Sequence, residues 1–370
     1  MYNEYMLEFI LRKDDDIMAK DISSAERNAE GYIKERLGTV GGQAVLEGVM
    51  MKSKDKVALS VRDTDGKIQS EVKTVKPLAA KYPIFKLPLI RGIGGFIESM
   101  MLSFSTLNRS AELLGIDGDE EPTKFEKWLD KTFGKSLVAV ASVIGGVLGV
   151  LLSVGLFIYL PKLLSDLVMT GDAPNPVLKS LLQGVVRILI FIGYIVLVSL
   201  MPDIKRTFMY HGAEHKSIFC HEKGEELTVE NVRRQIRFHP RCGTSFLFVM
   251  MIIGIFVSAF YANVSGILYT LLKLLTLPVV IGIGYEFIRY AGRHDNLFVK
   301  ICSAPGLWMQ RLTTAEPDDG MIEVAINSLK LALPDIYPPE EKTESEVEAE
   351  SEKQAENSES TDTETGNDVQ

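Results

Sequence analysis

Tyr210-His211-Gly212-Ala213-Glu214-His215-Lys216 and Phe238-His239-Pro240-Arg241-Cys242-Gly243-Thr244-Ser245 hold three of the chain's five histidines, within one polar stretch between long apolar segments. On a helix, at about 100° and 1.5 Å per residue, His211 and His215 fall one turn apart on the same face, with Glu214 at its edge. His-x-x-Glu-His is the reverse of the zincin order, in which two imidazoles hold zinc and the adjacent carboxylate is the general base. A third ligand is needed, and His239 is the first candidate because it opens a proline-containing turn that can fix a side chain. Cys242 divides the reading. If His211, His215, His239 and Cys242 all bind, the tetrahedron is closed and the ion is structural; if only three bind, one position stays open for chemistry. The plainer alternative is a surface helix on which Glu214 neutralises its neighbours.

The rest of the chain must place that stretch. Glu340 to Gln370 carries twelve acids and two lysines, net −10 of the chain's −9, so the remainder is close to neutral at +1. With almost no bulky apolar residue this tail is expected to stay unfolded. The N-terminal segment is too charged for a secretory leader, Glu8 breaking its one apolar patch. Val57–Arg62 and Lys67–Val72 alternate around Asp65-Gly66, a β-hairpin pattern, and with Gly41–Met51 ahead of them predict about three strands. Gln43 and Glu47 could point from the first strand toward a site or face water. Tyr82–Phe104 reads as an amphipathic helix lying against the membrane face or packed on the helix bundle. Its Gly92-Ile93-Gly94-Gly95 lacks the frame and the Lys-Ser/Thr of a phosphate loop.

Leu137–Leu160 is uncharged and, at about 1.5 Å per residue, exceeds the ~30 Å hydrocarbon core. A second span is expected from Leu178 to Met201, with Arg187 snorkelling from near its start. Phe246–Ile288, interrupted at Asn263-Val264-Ser265-Gly266, predicts a hairpin of two more. Lys205, Arg206, Lys216, Lys223, Arg233, Arg234, Arg237 and Arg241 concentrate between spans two and three, so the positive-inside rule puts the histidine loop and both termini in the cytoplasm. Cys220, Cys242 and Cys302 then meet a reducing compartment and are expected as thiols or metal ligands. Thr228 is expected to cap a helix running to about Phe238. Arg233, Arg234, Arg237 and Arg241 suggest a clamp for an anionic headgroup or carboxylate, against a plain positive-inside excess. Glu286, at membrane depth, is a candidate ligand or proton carrier, or the partner of Arg289 or Arg293. His294-Asp295 could be a spare ligand pair, Trp308 an interface anchor, and Pro317-Asp318-Asp319 the start of a helix through Leu331.

The expected fold class is therefore a mainly α polytopic membrane protein with about four transmembrane helices, a small N-terminal β element and a cytoplasmic helical lobe. Its expected parts are a polar extension (1–38), the β element (39–78), the amphipathic segment (79–135), the four-span region (136–300) with the histidine loop at 202–245, a C-terminal helical segment (301–335) and the acidic tail (336–370).

Gly41–Met51, Arg91-Gly92, His211–Lys216, Thr228–Val232, His239–Ser245, Tyr285-Glu286 and Leu312–Pro317 together resemble the YqhQ-like family of bacterial membrane proteins, labelled as metal-dependent enzymes. The resemblance spans roughly residues 38–332 and implies a multi-pass protein of the cell membrane. The leading expectation is a metal-dependent hydrolase in which His211, His215 and His239 hold zinc or another divalent metal, Glu214 takes a proton from water, and Arg241 and its neighbours orient an anionic lipid or membrane peptide. The expected site also includes Cys242 as a possible ligand and Glu286 as a catalytic candidate. The bilayer is the expected partner, and nucleic acid is not. The second expectation is a scaffold or regulator pinned by a structural His/Cys zinc. Transport is third, since only Glu286 and Arg187 lie at depth.

Overall fold

The computed structural model describes residues 32–33, 35–115, 136–169, 175–264, 266–291 and 297–338. The chain divides into a unit of residues 1–332 and a C-terminal unit of 333–370; in the latter, the N–H groups of Ile336 and Tyr337 close a turn on the Leu333 carbonyl. The first 31 positions, the acidic tail and His294-Asp295 lie outside the described residues.

The N-terminal sheet has four antiparallel strands in sequence order: β1 (Val40–Val45), β2 (Gly48–Ser53), β3 (Lys56–Arg62) and β4 (Ile68–Thr74). The Asp-Gly hairpin joins β3 to β4 as its sequence predicts. Gly41–Met51, expected as one strand, is instead a second hairpin that turns at Leu46-Glu47. Glu47 takes φ +46° there. That left-handed conformation disfavours a side chain bearing a Cβ. Tertiary contacts hold it, because the Arg206 guanidinium donates to both Glu47 carboxylate oxygens and the Tyr210 hydroxyl donates to one of them.

Side chains alternate across the sheet, so β3 has two buried faces. Val57, Leu59 and Val61 join Val45 and Met50 in a cluster closed by Leu102 and Leu113 of α1 (Ile90–Leu113). Ala58 and Ser60 face the last helix, where Ser328 Oγ donates to the Ala58 carbonyl at 3.0 Å and Asn327 Nδ2 donates to Ser60 Oγ at 3.2 Å.

The apolar region begins with α2 (Ser136–Val154), a π-helical turn (Gly155–Tyr159) and α3 (Leu160–Val168), which together form one continuous helix. After α4 (Pro176–Val198) come the site helix α5 (Pro202–Glu222), the single turn α6 (Val229–Arg233), α7 (Gly243–Ala259) and α8 (Gly266–Ala291). The chain closes with α9 (Leu297–Thr313) and α10 (Asp319–Ala332). Thr228 caps α6 through the Asn231 N–H at 3.2 Å, as expected, but the helix ends at Arg233 rather than near Phe238.

Three stretches are long and apolar enough to cross a membrane: Gly145–Val168, Pro176–Val198 and Gly266–Tyr290. Gly243–Ala259, expected as another span, is a shorter apolar helix of 17 residues. At 1.5 Å per residue that is roughly 26 Å, against the ~30 Å hydrocarbon core. Arg187 does not snorkel. Its Nε donates at 2.8 Å to the carbonyl of Phe157, inside the π turn.

Helices meet where a glycine removes the Cβ. Gly92 of α1 lies on Tyr285 and Gly282 of α8, Gly184 of α4 on Ile255 of α7, and Gly306 of α9 on Ser245. The closest approach involves α5. A Cβ on Gly212 would stand 2.1 Å from the Ala315 carbonyl oxygen, and the Ala315 N–H donates to the Phe208 carbonyl at 2.8 Å. Gly212→Ala must therefore push backbone from backbone. Its expected cost is about 1–3 kcal/mol, the usual range for overpacking, read as a lowered thermal midpoint of the detergent-purified chain.

Candidate metal centre

From Tyr210 onward α5 looks polar in sequence, yet all but one of its residues through Glu222 are buried and His211 is nearly so. Strand β1 covers one side, α10 another, and the 235–242 turn a third. Buried charge of this kind survives only where it is paired. Lys216 Nζ donates to Glu316 and to the Arg233 carbonyl (3.0 Å), and Lys223 Nζ to Gln235 Oε1 at 2.6 Å.

His211 and His215 meet edge to face one turn apart, with ring centroids 4.4 Å from each other. His211 Nδ1 lies 2.8 Å from the Thr313 carbonyl, and His215 Nδ1 meets the Arg237 carbonyl. A carbonyl can only accept, so each Nδ1 carries its hydrogen and each Nε2 is turned toward the site. This is the outer-shell arrangement that orients metal-binding imidazoles. The third donor is Cys242 Sγ, 3.2 Å from His211 Nε2. The ligand atoms of His211, His215 and Cys242 all lie within 4.8 Å of one another.

Cys242 is also the N-cap of α7, and its sulfur accepts from the Thr244 N–H at 3.4 Å. Although burial opposes ionisation, the His215 and His211 imidazoles hold the thiol well below its ordinary range. Burial likewise opposes charge on His211, but the Cys242 sulfur outweighs it and raises this group to about 9. Two rings with prescribed Nε2 directions around an ionised sulfur fit zinc, which favours imidazole nitrogen and thiolate.

Glu214 stands beside the triad, its Oε2 3.9 Å from His211 Nε2. Burial raises its pKa, and the neighbouring imidazoles only partly offset this. β1 closes over it. A Cβ on Gly42 would come within 2.8 Å of both Glu214 Cγ and the Met50 carbonyl, so only glycine lets the strand seal the carboxylate.

His239 is not in the group, and the reason is the direction of its turn. The ring lies 5.6 Å from that of His215, centroid to centroid, but its Nε2 faces Glu222 Oε2 at 3.5 Å. Gln310, fully buried, grips this turn. Its Nε2 donates to the His239 carbonyl and to Ser245 Oγ, and its Oε1 accepts the His239 N–H, each at 2.7 Å. The clamp turns His239 away and presents Cys242 in its place.

Arg241 does not reach the triad either; its guanidinium donates to Glu222, which also accepts the Gly38 N–H at 3.0 Å. Burial works against the charge on Glu222, but His239, Arg241 and Gly38 overcome it and hold its pKa at about 2. The rest of the basic cluster is likewise engaged: Arg233 on Asp319, Arg237 on Glu316, Arg234 on Asn231. Glu286 pairs with Arg91 of α1. Of the two partners weighed from the sequence, Arg289 acts on it only at longer range and Arg293 lies outside the described residues. Gln43 accepts from Ser103 at 2.5 Å, and Trp308 is partly exposed on α9.

Sequence reasoning missed Gln310, Glu222, Gly42 and the two carbonyl acceptors. Backbone acceptors leave no mark in residue types. Gln310 does adjoin the Leu312–Pro317 motif, the one signal that could have drawn attention to it.

A family profile described as "Protein of unknown function (DUF1385)" matches residues 87–335. The chain is 37% identical over 289 residues to "Uncharacterized protein YqhQ" of Bacillus subtilis (strain 168), covering 78% of this chain and 90% of that protein. No solved structure matches it. A match over most of the chain to the profile and to this relative makes the protein a member of the DUF1385 family, of the YqhQ kind.

Proposed function

We propose that this protein is a metal-dependent hydrolase of the cell membrane, acting on a membrane-associated substrate at the cytoplasmic face. The observation that carries the reading is the pairing of a three-donor His/His/Cys triad with a separate buried carboxylate. Three protein ligands leave zinc one open position, the arrangement of catalytic rather than structural sites. Bound there, zinc supplies Lewis acidity and draws the pKa of a coordinated water toward neutrality.

The chain's own residues do the rest. Thr313 and Arg237 fix the imidazole tautomers through their carbonyls. Glu214, its pKa raised by burial, is placed to accept a proton at its carboxylate and return it to a leaving group. Gly42 and β1 exclude water from its far side. Arg241 is a positioning residue, neutralising Glu222 beneath the His239–Cys242 turn. Because Cys242 caps the first turn of apolar α7, the centre stands at one end of the apolar helices, where a substrate held in the bilayer can reach it. The basic residues between the second and third expected spans support a cytoplasmic position for that end and, with α7 counted as a fourth crossing, for both termini.

A second reading keeps the metal and drops the chemistry: Glu214 swings in as a fourth ligand and closes a structural site. Metal removal tests hydrolysis first. The full chain in proteoliposomes, loaded with zinc, is offered carboxylic-ester, phosphodiester and peptide surrogates. Turnover of one class is expected, lost by at least about 10²-fold on chelation and restored by zinc. Turnover that persists unchanged after chelation would remove the metal from the reaction.

A further inference from the structure

At the end of the apolar helices remote from Cys242, a cavity of about 400 Å³ opens among Lys162 and Asp166 of α3, Lys179 and Gln183 of α4, Asn263, and Tyr269 of α8. Asn263 follows α7, roughly 30 Å along the chain from the cap of that helix at 1.5 Å per residue, so this is a separate site. Its walls are fixed. Tyr269 Oη donates to Gln183 Oε1 at 2.5 Å, and Ser180 and Ser258 share a hydrogen bond of 3.0 Å; these contacts tie α4 to α8 and α7.

The charge around this cavity is unbalanced. Lys179 pairs with Asp166 at 2.6 Å. Lys162 meets no carboxylate among the described residues. Lys273 Nζ rests over the Tyr269 ring, 4.3 Å from its centroid, and among the described residues Arg187 donates to the Phe157 carbonyl and meets no carboxylate. Among the described residues, three cations thus stand in or behind one cavity without a matching acid, although Lys273 lies about 10 Å inside α8 at 1.5 Å per residue. Charge at membrane depth is costly and marks a binding function when the protein does not neutralise it. Around the cavity the helices expose Leu163, Leu167, Leu178, Leu181, Leu268 and Leu271, an apolar surface suited to acyl chains.

We propose that this cavity binds a phosphate-bearing, hydroxylated headgroup in the leaflet opposite the metal centre. Lys162 and Lys273 meet the phosphate, the Asn263 amide donates to it, and Asp166 accepts from a headgroup hydroxyl. The chemistry is that of an anionic glycerophospholipid, shared by soluble glycerol phosphate. It is independent of hydrolysis at the histidine site.

Native mass spectrometry of the full chain, equilibrated with equal phosphatidylglycerol and phosphatidylcholine, tests this. The wild type should retain phosphatidylglycerol in preference, and Lys162→Gln and Lys273→Met should each weaken retention about fivefold, the effect of one cation near an anionic headgroup. Lys76→Gln, on the sheet side, serves as the control and should change nothing. A parallel arm measures thermal stabilisation by glycerol 3-phosphate. If that alone stabilises the wild type and not Lys162→Gln, the site stands and its source is soluble. Equal retention of the two lipids with no response to glycerol phosphate, or retention indifferent to both variants, overturns the proposal. Among the described residues the Lys162 side chain makes no hydrogen bond or ion pair, and its one contact, from Ser165 Oγ to the backbone carbonyl, survives in the glutamine variant, so loss there reads the site and not unfolding.

Discussion

Glu214→Gln is expected to keep zinc affinity within about threefold of the wild type and to lower turnover by about 10²–10⁴-fold, the range attributed to general acid–base catalysis. The amide is isosteric, so it fits beneath Gly42, where a Cβ would stand 2.8 Å from Cγ of residue 214. It cannot take a proton at neutral pH. The carboxylate stands 3.9 Å from His211 Nε2, beside the three donors and not among them, so its loss should leave the metal in place. Parallel metal analysis and surrogate hydrolysis on the same preparation check this. Zinc lost together with activity would make Glu214 a ligand and favour the closed, structural site.

Cys242→Ser should weaken zinc by more than about 10²-fold, beyond the effect usual for outer-shell partners. Serine keeps the cap of α7, because its hydroxyl can accept the Thr244 N–H that the sulfur accepts now, so the fold should survive. What disappears is the ionised sulfur, the site's only soft donor and the group that holds His211 at about 9. Without it the His211 charge loses its counterion and the ring should titrate lower. Zinc competition against a chromogenic chelator measures the affinity. The matching His239→Ala variant should retain zinc, since that imidazole faces Glu222. Equal loss in both variants would return His239 to the ligand set.

The imidazole pair and its carboxylate were legible because helix periodicity is a local property: three residues in five positions fix their own relative directions. The choice between His239 and Cys242 was not legible. They sit three apart in one turn, and which of them faces α5 is decided by Gln310, some seventy residues away. The arginine cluster misled for the same reason. Arg233, Arg237 and Arg241 read as free cations until the fold brings Asp319, Glu316 and Glu222 to them.

The β-hairpin at Asp65-Gly66 announced itself through turn chemistry, whereas the one at Leu46-Glu47 carries none and depends on Arg206 and Tyr210 to hold a strained glutamate. Apolar length located the three helices able to cross a membrane. Hydropathy alone could not show that the Gly243–Ala259 helix is short, nor that Arg187 turns inward to the π turn.

X-ray absorption at the zinc edge of the purified, zinc-loaded chain probes the central claim most directly. The account predicts a shell of one sulfur at about 2.3 Å and two imidazole nitrogens at about 2.0–2.1 Å, completed by a light oxygen scatterer. A shell without sulfur, a third imidazole in its place, or a chain that binds no metal at all would contradict it.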